Sequence, residues 1–466
     1  MTEPIRGVFA NRTLNLRSVQ AIGYDMDYTL IHYRVDEWER AAFKHARGRL
    51  ADRGWPVEQL EFDPSAFTLG LTFDLALGNL VKATRFGYVV RAQHGNELLS
   101  FDDQRTAYSE TVIDLAEDRF EFMNTLFELS RAALWTGLVE QHDQERLPGV
   151  HGYAELYRII DDALGRAHVE GELKAEIVAD PDRFVVPDPD LVPTLVDQRL
   201  AGRQLLLVTN SDWDYTRKIM AYAVEPHCPP GMGWRDLFDI VIVSADKPRF
   251  FVDEKQIYRV EDEDRSLLRP HYGDLEAGHV YFGGNARMVE RSLDLNAAQV
   301  LYVGDHLFGD VHVTKDTLRW RTALIARELE AEIADAADFA DDQLELTRLM
   351  TEKTEIDRVL AGLRMERRRA RKEGGSGPKE RQVAAATDRS QELDKHIAPL
   401  ARRASELGNP TWGPLMRGGN DKSLFARQVE RYADVYTSRV SNLRAETPYA
   451  YLRAARGSLP HDQRPS

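Results

Sequence analysis

The chain has 466 residues, 43% of them hydrophobic, so it can bury one large core or two smaller ones and is too long for a single unit of ordinary size. Its 61 Lys and Arg against 76 Asp and Glu leave a formal charge of −15, which disfavours adhesion to nucleic acid or to an anionic membrane. One cysteine, Cys228, allows neither an intrachain disulfide nor a cysteine-based metal cluster, which fits a reducing cytoplasm. The N-terminus carries no apolar signal core and the apolar runs are strand-sized, so an unexported protein away from membranes is expected.

Taken in chain order, Ala21–Tyr24 is the first strand-like run, and it ends in Asp25-Met26-Asp27-Tyr28-Thr29. Two carboxylates at i and i+2 across a sharp turn can face one small site, the first attacking phosphorus and the second moving protons. Capping or surface aspartates give the same spacing. From 31 to about 183 the pattern mixes helices and short strands, long enough for a second domain inserted as a cap that excludes water and selects substrate. Within it, the aromatic-rich stretch 118–129 is expected to pack the cap rather than touch ligand.

The run 205–208 ends in Thr209-Asn210-Ser211, where hydroxyls and backbone N–H groups beside a helix start can bind phosphoryl oxygens or simply cap the helix at 214–223. After a run at 239–243 comes Lys247, able to neutralise both an attacking carboxylate and a dianionic phosphoryl group. The run 300–303 leads into Gly304-Asp305-His306-Leu307-Phe308-Gly309-Asp310. Its aspartates, with Asp25 and a backbone carbonyl of Asp27, suit an oxygen-rich Mg²⁺ site, whereas His306 is expected to be structural because hard Mg²⁺ prefers oxygen. Polar residues at consecutive strand ends imply an α/β protein with a doubly wound parallel sheet. Beyond 328 the chain is charged and helical in period, with a flexible punctuation at 373–380 and an aromatic, amphipathic tail from Ser423 expected to dock on the core or a partner subunit. The basic run 364–372 is read as a solvated helix face.

The order DxD, T/S, K, GDxxxxD resembles the haloacid dehalogenase superfamily. The longer strings GYDMDYTL, LVTNSDWDYTRKIM, KPRFF, VYFGG, LYVGDHLFGDVHVTK and LFARQVERYADVY are similar to the cytosolic purine 5′-nucleotidase family. That resemblance implies a Rossmann-like core at 1–30 and 184–340, an inserted α+β cap at 31–183 and a helical C-terminal region at 341–466. It also implies catalytic roles for Asp25 (nucleophile through an aspartyl-phosphate), Asp27 (acid and base) and Lys247. Thr209, Asn210 and Lys247 would bind phosphate, Asp25, Asp27 and Asp305 would hold Mg²⁺, and Asp310 would orient Lys247 or metal-bound water. His94, Asn96 and Ser211 are the substrate-contact candidates, although the aromatic residue the family places after His94-Gly95 is Asn96 here. Phe308, Gln428, Arg431 and Tyr432 fall in strings similar to those of a nucleotide effector site, and helix packing accounts for the same residues.

The implied activity is hydrolysis of nucleoside 5′-monophosphates, with phosphate transfer to a nucleoside as a further possibility, in a dimer or tetramer. A phosphatase for another small monoester such as a sugar phosphate, and a non-catalytic nucleotide-binding regulator, are the alternatives. The regulator would be marked by a missing nucleophile or metal aspartate, and none is missing.

Overall fold

The computed structural model describes residues 4–169, 171–374 and 380–455. The punctuation at 373–380 falls mostly outside the described residues, at 375–379. The chain divides into two compact units, Met1–Glu330 with Leu415–Ser466, and Ala331–Pro414.

The first unit is built on a ten-stranded sheet. In chain order its strands are β1 (Val8–Ala10), β2 (Ala21–Tyr24), β3 (Gln204–Val208), β4 (Ile240–Val243), β5 (Ile257–Asp262), β6 (Leu267–Pro270), β7 (His279–Gly283), β8 (Val300–Gly304), β9 (Arg321–Ile325) and β10 (Val435–Thr437). Their spatial order is β1-β10-β9-β8-β2-β3-β4-β7-β5-β6. From β10 through β7 every pairing is parallel, and the edges at β1 and at β5–β6 are antiparallel. β2, β4 and β8 are buried along their whole length, as expected where helices cover both faces. The chain winds from β2 outward through β3 and β4, then returns to place β8 on the other side of β2. The order therefore reverses at β2, and the carboxyl end of β2 opens onto the crevice where such sheets bind ligands.

An antiparallel ribbon, His32–Tyr33 paired with Val185–Val186, carries the chain into and out of an inserted segment. The insert is α+β, as the pattern at 31–183 implied. A five-stranded antiparallel sheet, ordered Glu97–Leu98, Val89–His94, Asn79–Ala83, Thr72–Asp74, Phe120–Phe122, packs with helices that include Val35–Asp52, Leu129–Asp143, Tyr153–Val169 and Glu172–Ala179.

The C-terminal expectation needs correcting. Residues 341–466 do not form one helical region, because Leu415–Ser466 clusters with the first unit. The reason is β10, which joins the central sheet in parallel beside β9, and Asp434 just before it, whose buried carboxylate meets Lys315 at 2.6 Å and accepts the Thr322 N–H at 3.0 Å. The amphipathic helix Leu424–Tyr432 buries Leu424, Phe425 and Val429. Ala331–Pro414 is by itself a helical unit whose long helices, Ala340–Glu373 and Glu380–Glu406, close on Leu349, Leu393 and Ile397. The basic run 364–372 lies on the last turns of the first of these helices, largely exposed. Among the described residues no helix is long and apolar enough to cross a membrane.

Candidate active site

Asp25 follows β2, and Tyr28, three residues on, takes a left-handed backbone (φ 54°) that folds the loop back over the strand end. Thr209 follows β3. After β4, Ser244 and Asp246 are both left-handed (φ 47° and 62°), and this tight turn throws Lys247 inward. Asp305 and Asp310 follow β8. The segment around and after Asp310 is a pair of wider π-type turns, Leu307–His312 and Thr314–Leu318, a geometry that recurs at functional sites.

These strand ends converge. The Lys247 ammonium lies 2.7 Å from Asp25 Oδ1 and 2.9 Å from Asp310 Oδ1, and donates to the Tyr302 hydroxyl at 3.1 Å. Tyr302 comes from β8, where a sequence reading sees only an apolar run. It fits because its neighbour on β2 is Gly23, whose missing Cβ would stand 2.8 Å from the Tyr302 ring. Asp310 likewise needs Gly304, since a Cβ there would come within 2.4 Å of its carboxylate.

Oxygens of Asp25, Asp305 and Asp310 lie within 4.8 Å of one another. Burial, opposed by Lys247 and reinforced by Asp310, pushes the Asp25 carboxyl up to about 6. Burial and then the Asp25 and Asp310 charges push Asp305 well above the carboxylate range. Lys247 is drawn down by burial, but Asp25 and Asp310 outweigh this and hold its ammonium charged. One lysine cannot balance three carboxylates, and an all-oxygen donor set with excess negative charge fits a hard divalent cation such as Mg²⁺. The side chains gathered are those of Asp25, Asp305 and Asp310. Asp27, expected to offer the metal its backbone carbonyl, has its carboxylate engaged by hydroxyls, with Oδ1 accepting from Tyr33 at 2.5 Å and Oδ2 from Ser211 at 2.6 Å.

The neighbouring polar residues of the strand ends make local contacts, and His306 is structural as its chemistry implied. Asn210 spends its side chain on the Lys247 backbone, accepting its N–H at 2.6 Å and donating to its carbonyl at 3.0 Å, so the carboxamide holds Lys247 in place. Thr209 is fully buried and accepts the Ser211 N–H at 3.0 Å. His306 caps the following turn, its Nδ1 accepting the Gly309 N–H at 2.8 Å, and burial pulls its pKa down to about 4.

The insert contributes two groups that the motifs do not reveal. Thr125 donates to Asp305 Oδ2 at 3.0 Å, so the stretch 118–129 does reach the site even though Phe120 and Phe122 are buried in packing. Lys174 donates to Ser211 at 3.2 Å and sits 4.8 Å above the Tyr215 ring. An aromatic wall of Tyr28, Tyr33, Trp38 and Phe127 stands behind Asp27, with Tyr28 and Phe127 4.6 Å apart edge to face. Phe127 is the one of these four rings left partly exposed.

His94 and Asn96 are not brought to the carboxylates. His94 pairs with Asn79, Asn79 with Asp74, and Asp74 with Phe120, which puts His94 about 14 Å across the insert's sheet from Phe120 at ordinary strand spacing. Its ring nitrogens meet Asn79 and Asp143, each at 2.8 Å, and Asn96 donates to Glu140 at 2.8 Å. The sequence offers no signal against them, because both pairings are long-range.

Of the four residues of the effector expectation, Phe308 lines a cavity of about 390 Å³. Around it stand Glu117, Asp118, Glu121, Glu128 and Asp161 against Arg131, which is paired to Glu128 at 2.7 Å and Asp161 at 2.6 Å. Such a lining repels a polyphosphate. Tyr432 packs on His312 with ring centres 3.9 Å apart and Gln428 is buried, so these two serve helix packing, while the exposed Arg431 lays its guanidinium over the Tyr432 ring at 5.1 Å.

A sequence model of the 5′ nucleotidase family matches residues 8–464. The human 5′-nucleotidase domain-containing protein 2 is 29% identical over 451 residues, 94% of this chain and 81% of that protein. The protein of the same name from Rattus norvegicus is 30% identical over 454 residues, 94% of this chain and 76% of that protein. Among solved structures, an archaeal β-phosphoglucomutase from Pyrococcus sp. strain ST 04 aligns with a TM-score of 0.31 at 9% identity, covering 66% of this chain and 86% of that one. The L-2-haloacid dehalogenase of Xanthobacter autotrophicus aligns at 0.23 and 16%, covering 66% and 78%. With the family match spanning nearly the whole length, this chain belongs to the 5′ nucleotidase family.

Proposed function

We propose that the protein is a Mg²⁺-dependent phosphatase that hydrolyses nucleoside 5′-monophosphates through a phosphorylated Asp25. The observation that carries this reading is the single buried Lys247 shared by Asp25 and Asp310 beside Asp305. Asp25, Asp305 and Asp310 are the side chains available to a Mg²⁺ ion, which when bound would neutralise the phosphoryl oxygens and draw the substrate toward the nucleophile.

The chain's own groups supply the rest. Lys247 holds Asp25 ionised and meets the charge that builds on the equatorial oxygens. Asp25 Oδ2 is the oxygen left to attack, since Oδ1 faces Lys247 and accepts the Met26 N–H at 2.7 Å. Phosphorus leaves the 5′-oxygen as that oxygen takes a proton from Asp27. Asp27 then takes a proton from the water that attacks phosphorus and releases Asp25. Thr209 and the backbone N–H groups after β3 lie at the strand end where a phosphate docks. Phe127, partly exposed at the edge of the aromatic wall, is suited to stack on a planar base.

The test is hydrolysis of a panel of nucleoside 5′-monophosphates and sugar phosphates by the purified protein with Mg²⁺. Turnover should be fastest on a nucleotide, lost with a chelator and restored by Mg²⁺. Faster turnover of sugar phosphates than of every nucleotide would reject the substrate class.

A further inference from the structure

The four hydroxyl and ammonium groups around the Asp27 carboxylate can be ordered by counting protons. Lys174 can only donate, so Ser211 accepts from it at 3.2 Å and spends its own single hydrogen on Asp27 Oδ2 at 2.6 Å. Tyr33 likewise has one hydrogen, directed at Asp27 Oδ1 at 2.5 Å, so in the 3.0 Å contact between Tyr33 and Tyr215 the donor is Tyr215. With Asp27 ionised, the form that takes a proton from the attacking water, the result is a directed set, Tyr215 to Tyr33 to Asp27 from one side and Lys174 to Ser211 to Asp27 from the other. Both oxygens of the carboxylate are fixed, and so is its rotation about the Cβ–Cγ bond.

The positions of the donors matter as much as their directions. Ser211 follows β3 and Tyr215 lies on the helix Trp213–Ala223, both parts of the sheet core. Tyr33 lies on the ribbon paired with Val185–Val186, where the chain passes into and out of the insert. Its ring is buried against Trp38 and Tyr28 of the aromatic wall, at 4.4 and 5.3 Å between centres, so the hydroxyl cannot swing independently of that ribbon.

We propose that Tyr33, backed by Tyr215, is a positioning residue that ties the orientation of Asp27 to the ribbon joining core and insert. This rests on the reading of Asp27 as the group that protonates the leaving oxygen. Without the Tyr33 hydroxyl, Asp27 is held by Ser211 at one oxygen only and the carboxyl turns away from the line of the departing bond. The loss falls on substrates whose leaving group needs a proton. An alkoxide such as the 5′-oxygen of a nucleoside needs one, whereas p-nitrophenolate is a weak base and leaves without it. Substrate binding does not depend on this hydroxyl, so KM stays as it is.

The experiment compares single-turnover release of the leaving group from inosine 5′-monophosphate and from p-nitrophenyl phosphate, with Mg²⁺, in wild type, Tyr33→Phe, Tyr215→Phe and the double variant. For Tyr33→Phe the nucleotide rate should fall about tenfold or more while the aryl phosphate rate changes less than about twofold, a fraction of what general acid catalysis supplies. Tyr215→Phe should show the same split at smaller size, and the double variant should be no slower than Tyr33→Phe alone, because Tyr215 acts through Tyr33. Equal losses on both substrates, no loss on either, or additive losses in the double variant would overturn the proposal. If Tyr33→Phe does not fold, Tyr215→Phe decides by the presence or absence of the split. A wild type that cleaves neither ester would instead reject the phosphatase reading itself, and this proposal with it.

Discussion

Asp25, Asp305 and Asp310 crowd around one ammonium, and this imbalance governs how single substitutions should behave. Asp25→Asn leaves Lys247 paired with Asp310 and the fold intact but removes the attacking oxygen. Turnover of any phosphate ester should fall at least about a thousandfold, which a phosphate-release assay at saturating Mg²⁺ would detect. Gly23→Ala acts indirectly: its methyl displaces Tyr302, whose hydroxyl donates to the Val208 carbonyl at 3.1 Å and accepts from Lys247.

Glu39 shows what burial does away from the carboxylate cluster. It is fully buried, with one oxygen accepting the Ser130 N–H at 2.7 Å, and burial pushes its pKa from 4.5 to about 7. The folded state therefore binds this proton more tightly than the unfolded state. Its contribution is complete below pH 4.5 and is lost as pH rises through 7, an amount on the order of 3 kcal/mol. Glu39→Gln keeps an acceptor for Ser130 and has nothing to ionise. Its melting temperature should fall less than that of wild type between pH 5 and pH 8, as followed by circular dichroism, and parallel curves would show that Glu39 is not the source.

At the scale of elements, the join between the C-terminal segment and the sheet rests on Asp434. Its fully buried carboxylate lies 2.6 Å from Lys315, 3.4 Å from Arg321 and 4.0 Å from Arg12. Asp434→Asn leaves those cations without their countercharge and should cost about 3–5 kcal/mol, measured as a lower urea midpoint. Within the same unit, Gly70 is left-handed (φ 77°) and a Cβ there would stand 2.6 Å from the Phe425 Cβ, so this helix packs on the insert as well as beside the sheet. The helical period and aromatic content of residues 423–437 are visible in the chain. That the three residues after Asp434 form a parallel strand of the main sheet is not visible, because a three-residue run carries no periodicity and its partner β9 lies more than a hundred residues away.

For the molecule as a whole, the net charge of −15 is echoed locally by the acidic lining of the cavity at Phe308. With carboxylates lining the cavity at Phe308 and Arg131 already paired, ATP should leave the rate of phosphate release within about twofold of its value without ATP. A several-fold stimulation would show that polyphosphates overcome this lining or bind elsewhere.

The sequence by itself determined the strand-end chemistry: Asp25, Thr209, Lys247, Asp305 and Asp310 each follow a short apolar run, and in a parallel α/β sheet residues at strand ends must meet. It also determined that a large insert follows the first of these strands. Only the tertiary structure decided which side chains face one another. The Asn210 carboxamide holds the Lys247 backbone, and the Asp27 carboxylate is held between Tyr33 and Ser211. Thr125 and Lys174 arrive from the insert, while His94 and Asn96 remain on its far side. Apart from the Asp27–Tyr33 and His94–Asn79 contacts, these outcomes depend on residues dozens to nearly two hundred positions apart. A local pattern fixes which strand a residue ends, but only the packing of the insert against the sheet fixes what it touches.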